Sequence, residues 1–435
     1  MLKQGLSQYW RQGIRAMPAR DVHEHHRAST PLELLFDLVA VIAIAAAAGE
    51  LHHAIAHGHT LEGAGKFVLA FFAIWWAWMN FTWFASAYDN DDAVFRLLTM
   101  GLMIGSLTMA AGIRPFFQQA DLLLIVLGFV WMRICMVLLW LRAARHDPAH
   151  RPTSLTYAIG LILVQSYWVG LLLMQPLSLP TLLLLFGGGA VLELAVPAVA
   201  ERRGITPWHR HHMIERYGLL NLIVLGETLL AGSVAISQLQ QLAVSTAGFW
   251  PLLTLALVPL LAMILLFCLW WLYFSREEHL AVQNLRMALT WGYGHLLIYA
   301  AGAAVGAGIA VQVDLLTGQA HLSSAMATGA VAIPVAFYLF GLWLVRDRFI
   351  FSGAGRYLLL WFVGLIPLLS HLLAETSGAS AALGSITLLT LLAVLLRSSH
   401  ACCQASDPAS HGSNHSQSSH SQTGHSKPIQ GASNE

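Results

Sequence analysis

Twelve stretches of mostly apolar residues, each near the length that a helix needs to cross a bilayer, follow one another along this chain. Such a helix requires about 20 apolar residues, because the hydrocarbon core is about 30 Å thick and offers the backbone no hydrogen-bond partners. The sequence therefore predicts an all-α polytopic membrane protein with about 12 transmembrane helices. The predicted spans lie near residues 34–56, 66–86, 95–113, 122–141, 155–175, 180–200, 216–236, 250–274, 287–311, 324–345, 356–373 and 378–397.

The composition excludes a soluble protein. Hydrophobic residues make up 57% of the 435 residues, and charged residues make up only 10%. Soluble domains carry about 25% charged residues, so this chain could not cover a core of its own size with a polar surface. Its 23 basic and 22 acidic residues nearly cancel, which leaves no basic field to attract nucleic acid. The lipid bilayer is the predicted partner, and no nucleic acid partner is expected.

Lysine and arginine are distributed unevenly between the two predicted sides of the membrane. If both termini face the cytoplasm, 20 of the 23 Lys and Arg residues fall in cytoplasmic segments. Only Lys66 and Arg114 then fall outside, and Arg133 lies within a span. Because positively charged segments are retained in the cytoplasm during insertion, this distribution predicts a multi-pass protein with both termini in the cytoplasm.

The spans and the polar ends divide the chain into four predicted parts. Residues 1–32 form a cytoplasmic N-terminal segment, 33–200 a first six-helix half, 201–397 a second six-helix half, and 398–435 a cytoplasmic tail. The tail is rich in Ser and His and poor in apolar residues, which predicts disorder. Its histidines either bind Zn²⁺ loosely or are simply solvated, so a metal site stays open. No cofactor is expected.

The two halves share a short sequence similarity. Phe72-Ala73-Ile74-Trp75-Trp76 in the second span is similar to Phe267-Cys268-Leu269-Trp270-Trp271 in the eighth. An internal duplication would produce two parallel six-helix repeats, whereas coincidence of apolar composition is the other interpretation. The tryptophans of both segments are interpreted as members of the aromatic belts that lie near the ends of membrane spans.

Four of the ionisable side chains that fall within predicted spans are candidates for a functional site, because charge is costly there. Arg133 lies near the middle of the fourth span, Glu193 deep in the sixth, Glu227 deep in the seventh, and Asp37 in the first. A charge at the centre of a bilayer costs about 2.5–3.5 kcal/mol, so such groups usually face the interior of the bundle and have partners. Because arginine does not lose its proton, we expect Arg133 to pair with Glu193 or Glu227. Asp37 is a weaker candidate because it lies nearer the membrane surface.

Two interpretations of these groups are open on the sequence. In one, a buried ion pair fixes the register of the helices and carries no flux. In the other, a carboxylate binds a proton or a cation, as intramembrane ionisable groups commonly do.

The sequence contains no GxSxG, HExxH, Walker or dinucleotide-binding motif in a suitable context, so no enzymatic activity is expected.

Two sequence motifs resemble those of a known family. The first span opens with the run Pro31-Leu32-Glu33-Leu34-Leu35-Phe36-Asp37-Leu38-Val39. The seventh opens with His212-Met213-Ile214-Glu215-Arg216-Tyr217-Gly218 and continues to Ile223-Val224-Leu225-Gly226-Glu227. In order and separation these runs are similar to the two motifs of the bacterial low temperature requirement A family, over about residues 30–397. Leu35 and Ala40 stand where the family pattern has aromatic residues, and Tyr217 stands where it has Phe.

The resemblance implies a polytopic protein of the bacterial cytoplasmic (inner) membrane, connected by the family name with growth in the cold. It implies no substrate and no reaction. It marks seven motif positions without assigning them roles, namely Glu33, Phe36, Asp37, Glu215, Arg216, Gly226 and Glu227.

The buried charges lead to the hypothesis of a transporter or permease for a small solute or ion. In this hypothesis Asp37 and Glu227 are the coupling or binding carboxylates, Arg133 sets their charge state, and Glu193 belongs to the same site. The alternative is a non-transporting membrane scaffold or stress-response protein whose buried charges are structural. The sequence indicates neither the solute nor the oligomeric state.

Overall fold

The described part of the chain is a helical bundle. In the computed structural model, which describes residues 15–22, 24, 27–245, 249–276 and 285–405, these residues form twelve long helices and no strand. The helices are α1 (Pro31–Ala56), α2 (Thr60–Tyr88), α3 (Ala93–Gln119), α4 (Leu123–His146), α5 (Arg151–Leu173), α6 (Leu179–Ala200), α7 (Arg210–Ser245), α8 (Phe249–Phe274), α9 (Leu285–Leu316), α10 (Ser324–Leu342), α11 (Leu358–Ser377) and α12 (Ala379–Ala405).

The helices confirm the prediction of an all-α polytopic membrane protein. Among the described residues, eleven helices are long and apolar enough to cross a membrane. The remaining helix, α7, is the longest, with 36 residues. Each helix coincides with one predicted span to within a few residues, and several extend beyond it. This extension is expected, because backbone hydrogen bonding continues into the polar interface after the apolar run has ended.

The start of α1 is fixed by a capping box. The Thr30 hydroxyl accepts a hydrogen bond from the Glu33 amide at 3.3 Å, and the Glu33 carboxylate accepts one from the Thr30 amide at 2.8 Å. Pro31 occupies the first helical turn, where its missing N–H has no partner to lose. This reciprocal cap orients the Glu33 side chain at the beginning of the first family motif.

Helix α2 lies at the centre of the bundle and packs against α1, α3, α4, α6, α7 and α9. Trp75 and Trp76 lie near its middle and are each only 1% exposed. They therefore lie at interfaces between helices rather than at the membrane surface, and an apolar run does not show which of its faces is buried. Trp270 and Trp271 of α8 are 43% and 53% exposed, as lipid-facing residues are. The two similar segments thus occupy different environments, and the internal repeat stays a prediction.

Two local features distinguish the C-terminal part of the bundle. Helix α10 continues through a π-helical turn, Trp343–Asp347, which places Arg346 and Asp347 in the interior. Helix α12 continues past the predicted span to Ala405, and the division of the chain into two halves and a tail stays a prediction. The helix persists there because no proline or glycine interrupts residues 398–405. The rest of the predicted tail, 406–435, lies outside the described residues.

Candidate functional site

The two family motifs lie side by side, because α1 packs against α7. Glu33 faces His212, and one helical turn deeper Asp37 faces Arg216. Each pair joins residues that are 179 positions apart, so the two helices run parallel and in register. Residues four apart share one face of a helix, which is why the spacing in each motif produces two stacked pairs. With Arg27, these four residues form what we call the motif cluster.

The outer pair of the motif cluster is centred on the Glu33 carboxylate. His212 Nε2 lies 3.1 Å from Glu33 Oε1, and Arg27 Nη2 lies 3.9 Å from the same atom. Arg27 donates hydrogen bonds to the carbonyls of Ala85, at 2.7 Å, and of Ser86. These two carbonyls belong to the last turn of α2, so Arg27 joins the end of this helix to Glu33.

The inner pair joins Asp37 and Arg216, both of which are fully buried. Asp37 Oδ1 accepts hydrogen bonds from Arg216 Nη2 at 2.5 Å and from Trp78 Nε1 at 2.7 Å. Within the described residues, Asp37 Oδ2 and the Nε and Nη1 of Arg216 have no hydrogen-bond partner. The two charges therefore meet through one oxygen and one nitrogen, without the bidentate contact that best compensates burial.

The charges of the motif cluster balance only while His212 is neutral. Two arginines, Arg27 and Arg216, then face two carboxylates. A proton on His212 would leave one excess positive charge in a buried site, and His212 Nδ1 has no hydrogen-bond partner among the described residues. Glu33 and Asp37 can each accept a proton as well. The cluster thus offers several neighbouring places for one proton, separated by one helical turn.

Two titratable groups border the motif cluster outside the spans. Burial and the negative charge of Glu33 raise the pKa of Asp89, which follows α2, to about 6. Burial lowers the pKa of His209, which precedes α7. His209 Nδ1 accepts a hydrogen bond from the His212 amide at 3.2 Å, and its Nε2 donates to the Glu24 carbonyl at 2.9 Å. These bonds require the neutral Nε2–H tautomer of His209.

Tyr217, where the family pattern has Phe, is accommodated by a hydrogen bond. Its hydroxyl accepts from Trp83 Nε1 at 2.9 Å, and its ring lies edge-on to Trp78, with ring centroids 5.0 Å apart. Phe36 of the first motif packs against Phe81 at 4.4 Å between centroids. The aromatic residues that neighbour Asp37 and Arg216 in the sequence thus pack against α2.

A second buried ion pair lies apart from the motif cluster. Arg133 Nη2 on α4 contacts Glu193 Oε1 on α6 at 2.6 Å, so Glu193 is the partner that the structure gives to Arg133. Trp168 donates to the same oxygen at 2.9 Å, and Trp76 donates to Glu193 Oε2 at 2.6 Å. Both oxygens of this carboxylate are satisfied, whereas Asp37 Oδ2 has no partner, and Arg133 Nε also has none among the described residues.

The remaining motif residues do not join either pair. Glu227 is half-buried on α7, eleven residues beyond Arg216 and thus about 16 Å farther along the helix. It makes no hydrogen bond or ion pair within the described residues, which exclude the side chains of 230–255. Glu215 is exposed and accepts a bond from the Ser29 amide at 3.3 Å, and Gly226 is exposed with open space around it. Asp37, Arg133 and Glu227 therefore lie in three separate places, with Glu193 beside Arg133.

The sequence analysis did not single out Arg27 or His212, and it marked Arg216 as a motif position without a role. His212 and Arg216 repeat the four-residue spacing of Glu33 and Asp37, and that spacing was the available signal. Arg27 and the indole donors gave no comparable signal. Among the described residues, no three His, Cys, Asp or Glu side chains are grouped as a metal site requires. The histidines of the tail beyond residue 405 lie outside the described residues.

Comparisons with known proteins agree with the motifs. Residues 28–396 match the sequence pattern of the family described as bacterial low temperature requirement A protein. An uncharacterized protein of Rhizobium meliloti (strain 1021) is 28% identical over 288 residues, which cover 62% of this chain and 66% of that protein. No solved structure matches the chain.

Proposed function

Because the chain belongs to the bacterial low temperature requirement A family, whose two motifs meet in the motif cluster, we propose that it is a transport protein. It moves a small solute or ion across the bacterial cytoplasmic membrane, with both termini in the cytoplasm. The motif cluster binds and releases the proton that couples this movement. No enzymatic reaction is part of the proposal.

The observation that carries the proposal is the incomplete pairing of the inner pair. A buried carboxylate–guanidinium pair that served packing alone would gain most from complete hydrogen bonding. Both oxygens of Glu193 are bonded, although Arg133 Nε has no partner among the described residues, whereas Asp37 Oδ2 and two nitrogens of Arg216 are unpaired in a fully buried site. Because some of their polar atoms are already unpaired, Asp37 and Arg216 lose fewer hydrogen bonds when they change partners.

Protonation of Asp37 would remove the charge that holds Arg216. The guanidinium would then be buried without its counter-ion. The next carboxylate available to it is that of Glu33, one turn closer to the start of α1. A proton therefore favours a different arrangement of α1 and α7 from the one favoured by ionised Asp37. This dependence of conformation on a bound proton is the requirement for coupling.

The proposal is tested by flux through purified protein in liposomes, with a pH-sensitive dye inside and an imposed potassium diffusion potential. We expect wild-type protein to conduct protons and Asp37→Asn to conduct none while remaining folded. Glu193→Gln is the matched control, because it neutralises an equally buried, arginine-paired carboxylate outside the motifs. Glu227→Gln tests the second carboxylate of the sequence hypothesis. Wild-type flux through Asp37→Asn would refute the assignment.

A scaffold or stress-response protein is the second candidate. The Arg133–Glu193 pair favours it, since both oxygens of this carboxylate are bonded and, with Trp76 and Trp168, the pair joins four helices. In a scaffold the motif cluster would act in the same way. Absence of proton and monovalent-cation flux in the wild type, with equal losses of stability in Asp37→Asn and Glu193→Gln, would favour this function.

A further inference from the structure

A small cavity lined mainly by aromatic rings lies at the end of the bundle where α6 ends and α5 and α9 begin. Its volume is about 30 Å³, whereas a single water molecule needs about 10–15 Å³. The cavity therefore has room for one or two groups of the size of water. Its lining includes five aromatic residues and one carboxylate, namely Trp83, Trp140, Tyr157, Trp208, Tyr293 and Glu201.

The aromatic residues include two pairs of packed rings. Trp140 and Tyr157 are stacked with 4.1 Å between their ring centroids, and Trp83 lies edge-on to Trp208 at 5.1 Å. The hydroxyl of Tyr293 already donates to a backbone carbonyl of α6 at 3.1 Å. These residues therefore contribute mainly ring carbons and π-electrons to the cavity. Because the face of an aromatic ring carries partial negative charge, several rings around one small space attract a cation.

Glu201 adds a full negative charge to this lining. It is only 6% exposed, and within the described residues it forms no ion pair, whereas the carboxylates of the motif cluster and of the second buried ion pair each face an arginine. Its Oε1 accepts hydrogen bonds from the Tyr157 hydroxyl at 2.8 Å and the Thr206 hydroxyl at 2.7 Å. Its Oε2 accepts one bond, from the Thr206 amide at 2.8 Å, and can accept a second. A buried carboxylate in this state is stabilised by a cationic ligand.

We propose that this cavity binds a small ammonium-type cation, either NH₄⁺ or methylammonium. The aromatic rings attract the cation, and Glu201 Oε2 accepts one of its N–H groups. Sodium and potassium ions are disfavoured, because they give up their water only where several oxygens replace it, and this lining is mostly carbon. Larger quaternary ammonium ions exceed the volume of the cavity. The inference concerns binding alone, so it goes beyond the proposed transport function and does not rest on it.

The test measures the Tm of the full chain in detergent during titration with ammonium, methylammonium, sodium or tetraethylammonium chloride at equal ionic strength. Ammonium and methylammonium should raise the Tm of the wild type, and the other two cations should not. In Glu201→Gln the apparent affinity for methylammonium should be about tenfold weaker or less, because a charge-assisted hydrogen bond is lost. Glu193→Gln is the matched control. It neutralises an equally buried carboxylate outside the cavity and should keep the full shift relative to its own ligand-free Tm.

Four results would overturn the proposal. Equal shifts with ammonium and sodium would show a general effect of salt. No methylammonium shift in the wild type would show that the cavity takes no such cation. An unchanged affinity in Glu201→Gln would place the binding elsewhere, and an equal weakening in Glu193→Gln would show that the loss is not specific to this cavity. If Glu201→Gln does not fold, Trp208→Leu at a half-buried position keeps the carboxylate and should bind methylammonium about threefold more weakly, since one ring is lost. Wild-type affinity in that variant would equally refute the assignment.

Discussion

Glu193→Gln measures what the second buried ion pair contributes to stability. The substitution leaves Arg133, which is 4% exposed near the middle of α4, without a counter-charge. Removing one partner of a buried pair costs about 3–5 kcal/mol. The glutamine also loses one acceptor oxygen, so either Trp76 or Trp168 faces an amide N–H, and an unmade buried hydrogen bond costs about 1–3 kcal/mol. We expect the free energy of unfolding to fall by about 5 kcal/mol, with proton flux retained.

The assay is reversible unfolding in mixed micelles, followed by far-UV circular dichroism, in a double-mutant cycle with Arg133→Met. Methionine removes the cation and keeps an apolar side chain beside Phe129. The double variant should therefore be more stable than Glu193→Gln alone, because no unpaired charge remains. A single variant within about 1 kcal/mol of the wild type would refute the reasoning. It would mean that Arg133 reaches water or a lipid head group.

Single substitutions at three other positions test the remaining charge and packing arguments. Asp89 is 3% exposed, and its pKa is raised from 3.8 to about 6 in the folded state. Because the folded state then holds this proton more tightly than the unfolded state does, the free energy of unfolding falls as pH rises from about 4 through 6. Asp89→Asn should remove this loss, which amounts to about 3 kcal/mol at pH 7.5, as measured by Tm against pH. Tyr217→Phe should cost about 1–2 kcal/mol in unfolding experiments, because the Trp83 indole loses its acceptor. Gly308→Ala should lower Tm, because a Cβ would lie 2.1 Å from the Ala330 carbonyl oxygen and force α9 from α10.

These three predictions have separate controls. Gly364→Ala places a Cβ in open space, so it should leave Tm unchanged, and an equal loss in both glycine variants would contradict the packing argument. An Asp89→Asn variant with the wild-type pH profile would show that another group titrates. Unchanged unfolding of Tyr217→Phe would show that the family's usual Phe is equally suited to this site.

The helices could be predicted because hydropathy and length are properties of local sequence. Each span of about 20 apolar residues corresponds to one helix in the structure. The role of α2 could not be predicted in this way, because its residues are apolar all round and both lipid and protein accept such a surface. Only the positions of the neighbouring helices show that Trp75, Trp76 and Trp78 are interior residues.

The ion pairs were predictable only in part. The need of Arg133 for a carboxylate follows from its charge, and depth reduced the choice to a few candidates, of which Glu193 is the partner. The partner of Asp37 could not be found, because Arg216 is 179 residues away and its proximity depends on the register between α1 and α7. Glu227 is the opposite case. Its depth within the span could be predicted, but the sequence of its own helix does not show which side chain lies opposite it.

The paired residues are four positions apart on both α1 and α7. A second alignment of the two helices, shifted by one turn, would therefore also pair an acidic residue with a basic one. A slip of α7 by one turn toward the beginning of α1, about 5.4 Å, would bring Arg216 level with Glu33. Asp37 would then have no cation opposite it, which is tolerable only when it carries a proton. In the proposed mechanism, the parallel pairs would allow two registers of α7 against α1, and the proton on Asp37 would select between them. In Asp37→Asn the selection would be lost and the slipped position favoured.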